Sequence, residues 1–170
     1  MKLKTIITTL AAVAVLAGIF ALGYIDSGGT AASVQNVNGS NSWSMLTATE
    51  SLYDFGTISM RNGDVSYDFT VTNQTGKDIM VSTLVTSCMC TSALIVKADG
   101  SINGPFRMPG MGYVPPANEL IKVGESRIIR VVYNPNAHGP AGVGRIDRFA
   151  ILTDSSGNTL QLEIKAVVTP

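Results

Sequence analysis

After Ile25, no stretch of this 170-residue chain sustains a helical period, which excludes folds built on amphipathic helices. What the pattern offers instead is strand and turn. Val65, Tyr67, Phe69 and Val71 alternate with Ser66, Asp68, Thr70 and Thr72, the signature of a strand with one buried and one wet face. Asn62-Gly63 just before it is a hairpin signal. A first short strand is expected over 46–52, continued over 53–58 through a bend at Gly56. Further strands are expected over 79–86, 93–96, 120–123, 128–133, 146–153 and 160–168. Seven or eight short strands with Gly, Asn and Pro turns predict an all-β, immunoglobulin-like antiparallel β-sandwich over 46–170. Phe69, Val71, Val131 and Ile151 are the expected inward positions.

The start of the chain is different. Lys2 and Lys4 precede an apolar run over 6–25 that only Thr8 and Thr9 interrupt. Twenty such residues reach about 30 Å as a helix, enough to cross a bilayer. The reading is an N-terminal hydrophobic helix in 1–25, a single-pass anchor of the cell membrane with the rest of the chain outside the cytoplasm. A cleaved signal peptide is the competing reading, with Ala21-Leu22-Gly23 or Thr30-Ala31-Ala32 as cleavage sites and a periplasmic or secreted product. Residues 26–45 are rich in Gly, Ser and Asn and read as a flexible linker. The leader leaves about 145 residues, enough for one core without disulfide staples.

Twelve basic and twelve acidic residues balance, and no basic stripe is interleaved with aromatics, so nucleic acid is not an expected partner. The sequons at Asn38 and Asn73 read as chance triplets. The chemistry is concentrated in Ser87-Cys88-Met89-Cys90-Thr91, which holds the only two cysteines. If the preceding strand continued through them, both sulfurs would face one way with Cα atoms about 6.6 Å apart. That suits two thiolates on one soft ion. Two loops longer than their hairpins need, 103–116 and 134–144, carry Met108, Met111 and the only histidine, His138. Cys88, Cys90 and His138, assisted by Met108 or Met111, form a candidate Cu(I) site, because thiolate, thioether and imidazole suit that ion. Zinc is less favoured, since two Cys and one His fall short of a closed four-ligand site. The pair could equally close a local disulfide, bury two thiols as small apolar groups, or exchange disulfides.

Catalytic templates find little. One histidine and no Gly-x-Ser-x-Gly elbow oppose a serine hydrolase, and the carboxylates are scattered rather than paired. Binding rather than catalysis is therefore expected. The alternative is a structural or protein-interaction module of the cell envelope, joined to a partner through sheet edges or long loops.

Three segments together carry a resemblance: Tyr53-Asp54-Phe55-Gly56-Thr57-Ile58; Val71-Thr72-Asn73 through Ser87-Cys88-Met89-Cys90-Thr91; and Val123-Gly124-Glu125 with Val131-Val132-Tyr133-Asn134-Pro135. Over roughly residues 48–168 the chain resembles an exported bacterial family, domain of unknown function fifteen-seventy-three. That family is similar to the Hydin-type and major-sperm-protein-type immunoglobulin-like domains. This chain departs from its pattern with Met89 for glycine, Val123 for proline and Asn134 for aspartate. The resemblance implies the sandwich fold and no particular activity.

Overall fold

The computed structural model describes residues 46–170. The expected N-terminal helix in 1–25 and linker in 26–45 lie outside the described residues. No helix among the described residues is long and apolar enough to cross a membrane. The described residues form ten strands: β1 (Leu46–Ala48), β2 (Leu52–Ser59), β3 (Val65–Asn73), β4 (Ile79–Thr86), β5 (Thr91–Val96), β6 (Ile102–Phe106), β7 (Glu119–Ile121), β8 (Ser126–Tyr133), β9 (Gly144–Asp154) and β10 (Thr159–Thr169). They form two five-stranded sheets, ordered β1-β3-β8-β5-β6 and β2-β10-β9-β4-β7. All pairings are antiparallel except β2 with β10. The all-β, two-sheet expectation holds, with ten strands instead of seven or eight.

The core lies between the sheets. Phe69, Val71, Ile95, Phe106, Ile129 and Val131 from the first sheet meet Val81, Leu84, Ile121, Leu152, Leu162 and Ile164 from the second, all buried. Burial of such side chains contributes about 1.5–3 kcal/mol each. Along β3 the inward residues alternate with half-buried or exposed ones, as expected, and β10 alternates in the same way.

Four details differ from the sequence reading. Residues 46–58 do not form one strand: β1 belongs to the first sheet and β2 to the second. The chain crosses over at 49–51, where Thr49 N–H donates to the Thr70 carbonyl and Glu163 N–H to the Ser51 carbonyl. The bend at Gly56 is a bulge in β2. Lys165 faces Asp54 but Val167 faces Thr57, so three steps of β2 oppose two of β10. Asp54 Oδ1 accepts from Gly56 N–H at 2.8 Å and Gly56 takes φ 65°, so the Asp-Phe-Gly motif builds that bulge. Tyr53 and Phe55 are thereby aimed inward on one side and Ile58 on the other, and Tyr53 stacks on Tyr67 of the opposite sheet at 3.6 Å. Third, β6 occupies part of the first long loop. Its sequence Ile-Asn-Gly-Pro-Phe reads as turn, and it is tolerated because β6 is an edge strand. Fourth, Ile151 is only half-buried, whereas Ala150 and Leu152 point inward. The whole face of β9 is thus opposite to the expected one.

The motif-bearing crossover links β4 in one sheet to β5 in the other. It lies at the end of the sandwich marked by Val65 and Tyr133, while Asn73, Ser126 and Val96 mark the opposite end.

Candidate metal centre

The strand does not continue through the cysteines. Changing sheets requires a turn, and the motif supplies the groups that fix one. Thr91 N–H donates to the Cys88 carbonyl at 3.1 Å, closing a four-residue turn over Cys88-Met89-Cys90-Thr91. The buried hydroxyl of Thr86 donates to the Thr91 carbonyl at 2.9 Å and lies 3.2 Å from that of Cys88. Ser87 locks the turn to β9: its N–H donates to the Phe149 carbonyl and its Oγ accepts from Phe149 N–H. The expected Cα separation of about 6.6 Å is accordingly corrected to 5.3 Å, and the two sulfurs are joined as a disulfide.

His138 comes from the β8–β9 connection. β8 runs beside the turn, and Asn134 N–H donates to the Cys90 carbonyl at 2.8 Å. Beyond it the loop is wound on itself. Asn134 Oδ1 accepts from Asn136 N–H, Asn136 Nδ2 donates to the Met60 carbonyl, and His138 precedes a short 3-10 turn, Gly139–Gly142. Gly142 fits closely there: a Cβ would stand 3.2 Å from the Pro135 carbonyl oxygen and 3.4 Å from the His138 Cβ. The result places His138 Nε2 3.2 Å from Cys88 Sγ.

Cys88, Cys90 and His138 therefore converge, with their ligand atoms all within 4.8 Å of one another. The burial is graded: Cys90 is 2 % exposed, Cys88 half-buried and His138 exposed. Met108 is half-buried and Met111 exposed on the β6–β7 loop, and among the described residues no hydrogen bond ties either thioether to the three donors. Met89, within the turn, is 48 % exposed.

Arg148 is the residue the sequence reading missed. It stands on β9 at an inward-facing position between Ile146 and Ala150. Its Nε donates to Cys90 Sγ at 3.3 Å and one terminal nitrogen donates to the Asp147 carbonyl at 2.8 Å. Its charge also reaches Tyr133: burial pushes that hydroxyl up from its ordinary value, and Arg148 pulls it part of the way back. A charged residue on the apolar face of a strand was the available signal. A cleft of about 160 Å³ also borders the turn, its lining including Asp64, Met89, Arg107 and Asn134. Cys90 borders it, yet so little of that residue reaches solvent that the cleft does not open the sulfur.

Residues 46–101 match the family described as Protein of unknown function (DUF1573). The resemblance read from the motifs is to this family. The match spans the Asp-Phe-Gly bulge and the cysteine turn, and ends before the Val123-Gly124-Glu125 segment. No curated protein matches the chain. Among solved structures, a protein of unknown function from Porphyromonas gingivalis W83 is similar at TM-score 0.52 and 12 % identity, over 72 % of this chain and 46 % of that one. VesB protease of Vibrio cholerae is similar at 0.47 and 15 %, over 73 % and 32 %. The CooA pilin subunit from enterotoxigenic Escherichia coli is similar at 0.41 and 13 %, over 74 % and 97 %. This chain thus spans less than half the length of the first two. At such identities the likeness concerns the fold alone.

Proposed function

We propose that this domain is a soft-metal binding module, taking Cu(I) once the Cys88–Cys90 pair is reduced. The observation that carries the reading is the convergence of two sulfurs and one imidazole nitrogen within 4.8 Å. Metal–sulfur and metal–nitrogen bonds of about 2.0–2.3 Å let one ion bridge donors about 4 Å apart, so small side-chain rotations suffice. Cys88 and Cys90 would hold the ion as thiolates and His138 through Nε2, with Met108 or Met111 as an additional thioether from the β6–β7 loop. The donor set is soft, which favours Cu(I) over harder ions. Arg148 beside Cys90 supports an anionic dithiolate centre by offsetting part of its charge. The expected leader would place this immunoglobulin-like sandwich at the cell membrane, outside the cytoplasm, and its work there is binding rather than catalysis.

The test is an anaerobic Cu(I) titration of the reduced full-length chain in detergent against a chelator of known affinity. One equivalent should bind, binding should vanish in the Cys88→Ser/Cys90→Ser variant, and His138→Ala should weaken it at least tenfold. Failure to compete with the chelator, or equal affinity in the double variant, overturns the proposal.

A further inference from the structure

The two halves of the Cys88–Cys90 pair have unlike surroundings. Cys88 is half-buried on the solvent side of the turn, next to the exposed His138. Cys90 is 2 % exposed and faces the guanidinium of Arg148 at 3.3 Å. Arg148 shares the inward side of β9 with Ile146, Ala150, Leu152 and, at the far end of the strand, Asp154, which its own turn satisfies; Arg148 Nε instead meets a disulfide sulfur, only a weak acceptor for an N–H. A thiolate at the same place would give the guanidinium a charged, strongly accepting partner. The arrangement matches the state in which negative charge has developed on Cys90.

We infer that the pair is a directional thiol–disulfide exchange site, opened by an external thiol at Cys88 with Cys90 as the leaving sulfur. It concerns the same residues as the metal reading, and rests on that reading only for what reduction accomplishes, the release of a soft donor set. In the first step an external thiolate attacks Cys88 Sγ. A bond forms between the external sulfur and Cys88, the Cys88–Cys90 bond breaks, and its electron pair leaves on Cys90 Sγ beside Arg148. A second external thiolate then attacks the external sulfur of the mixed disulfide. An external disulfide is released, and Cys88 departs as a thiolate facing His138 Nε2. Two electrons pass from two thiols to the protein, and the two thiol protons go to the new protein thiols, or to solvent where a metal takes their place. The co-reactant is a thiol, small or borne by a protein. Arg148 acts as a positioning residue for the leaving charge, with no contact to the attacking thiol required.

The oxidised full-length protein is treated with glutathione, quenched with an alkylating agent and mapped by peptide mass. The expected intermediate carries glutathione on Cys88 and the alkyl group on Cys90. In single-cysteine variants, Cys88 in Cys90→Ser should react with an aromatic disulfide at least tenfold faster than Cys90 in Cys88→Ser. Arg148→Gln should slow reduction by glutathione about tenfold and Arg148→Lys should restore most of the rate, with thermal unfolding showing both variants folded. Glutathione on Cys90, equal reactivity of the two cysteines, or a reduction rate indifferent to Arg148→Gln would each overturn the inference. The outcome separates from the metal reading: Cu(I) binding with the adduct on Cys90 keeps the metal and loses the direction, whereas the adduct on Cys88 without Cu(I) binding does the reverse.

Discussion

The two ends of the sandwich both bury polar groups, but they use them in opposite ways. At the end marked by Asn73, each buried polar group is closed off by partners from within the chain. Asn73 is fully buried. Its Nδ2 donates to the Lys77 and Ile121 carbonyls, and its Oδ1 accepts from the Thr75 N–H and hydroxyl. That accounting leaves no room for a glycan at its sequon. Glu119, 3 % exposed, is held by Arg127 at 2.7 Å and Lys97 at 3.2 Å, which ties β7 of one sheet to β8 and the end of β5 in the other. At the cysteine end, by contrast, an arginine donates to sulfur, a histidine approaches sulfur from an exposed loop, and burial falls from Cys90 to His138. Saturated polar groups specify and stabilise a structure. Groups left with weak partners around two joined sulfurs keep their capacity for reaction.

The comparison breaks most visibly if the closed end carries little stability. Glu119→Ala should cost about 3 kcal/mol in urea unfolding, the low end for a broken buried pair, because it removes the buried carboxylate shared by Lys97 and Arg127 while Arg127 keeps Glu125 at 3.0 Å. The slope of the unfolding free energy with urea should not change. A loss below about 1 kcal/mol would place this pair with ordinary surface ion pairs and remove the distinction between the ends. Asn73→Ala should cost somewhat less, about 2–3 kcal/mol. It removes a buried bond to the Ile121 carbonyl, while Lys77 and Thr75 lie close enough to the surface to recover water.

The closed end was also the more legible in sequence. Alternation in β3 identified Phe69 and Val71 as core, and Asn73, within the segments that carry the family resemblance, turns out to fix its own turn. Those signals are short-range, so one sequence can display them. The open end depends on long-range placement. Cys88 and Cys90 were visible as a pair, but not the turn they form, because that turn exists only where β4 and β5 belong to different sheets. His138 reaches Cys88 because its loop is wound on Asn134 and Gly142. Arg148 was hidden by a single error of parity. Phe149 and Ile151 make the wrong face of β9 look more apolar than Arg148 and Ala150 do. Taking Ile151 as inward sent the arginine to solvent. Correcting that alternation would have placed a charged residue on the inward side of β9 and asked what it faces.

A smaller effect sharpens the contrast from the cysteine side. The disulfide closes a loop of three residues, for which chain-entropy stabilisation is only about 1.6 kcal/mol. Reducing the pair, or replacing it in Cys88→Ser/Cys90→Ser, should therefore lower unfolding stability by no more than about that amount. Thr86, Ser87 and Thr91 keep the turn through bonds that do not involve sulfur. Equilibrium urea curves with and without reductant measure this. A loss as large as that of Glu119→Ala would make the cysteines a structural clamp and argue against a site that opens and closes in the folded protein.

The smallest expected effect is a pH dependence at the closed end. Burial alone would raise the Asp154 carboxyl, but bonds from the Asn158 side chain and from backbone N–H groups in its turn outweigh it, and the group lies below its ordinary value. The unfolded chain therefore takes up the proton first as pH falls. This contribution is fully present above the ordinary carboxyl range and is lost as pH drops through the lowered folded value. Asp154→Asn keeps an oxygen to accept from Ser156 and Asn158 but removes the charge, so the variant should be slightly weaker near neutrality and lose less on acidification. The acid limb will flatten rather than vanish, since Asp68, held down by its hydrogen bonds from Arg130, contributes with the same sign. Urea midpoints at neutral and acid pH should lie closer together in the variant than in the native chain. An unchanged gap would mean that the Asp154 turn is held by its geometry alone, and that the charge there does nothing the neutral amide could not.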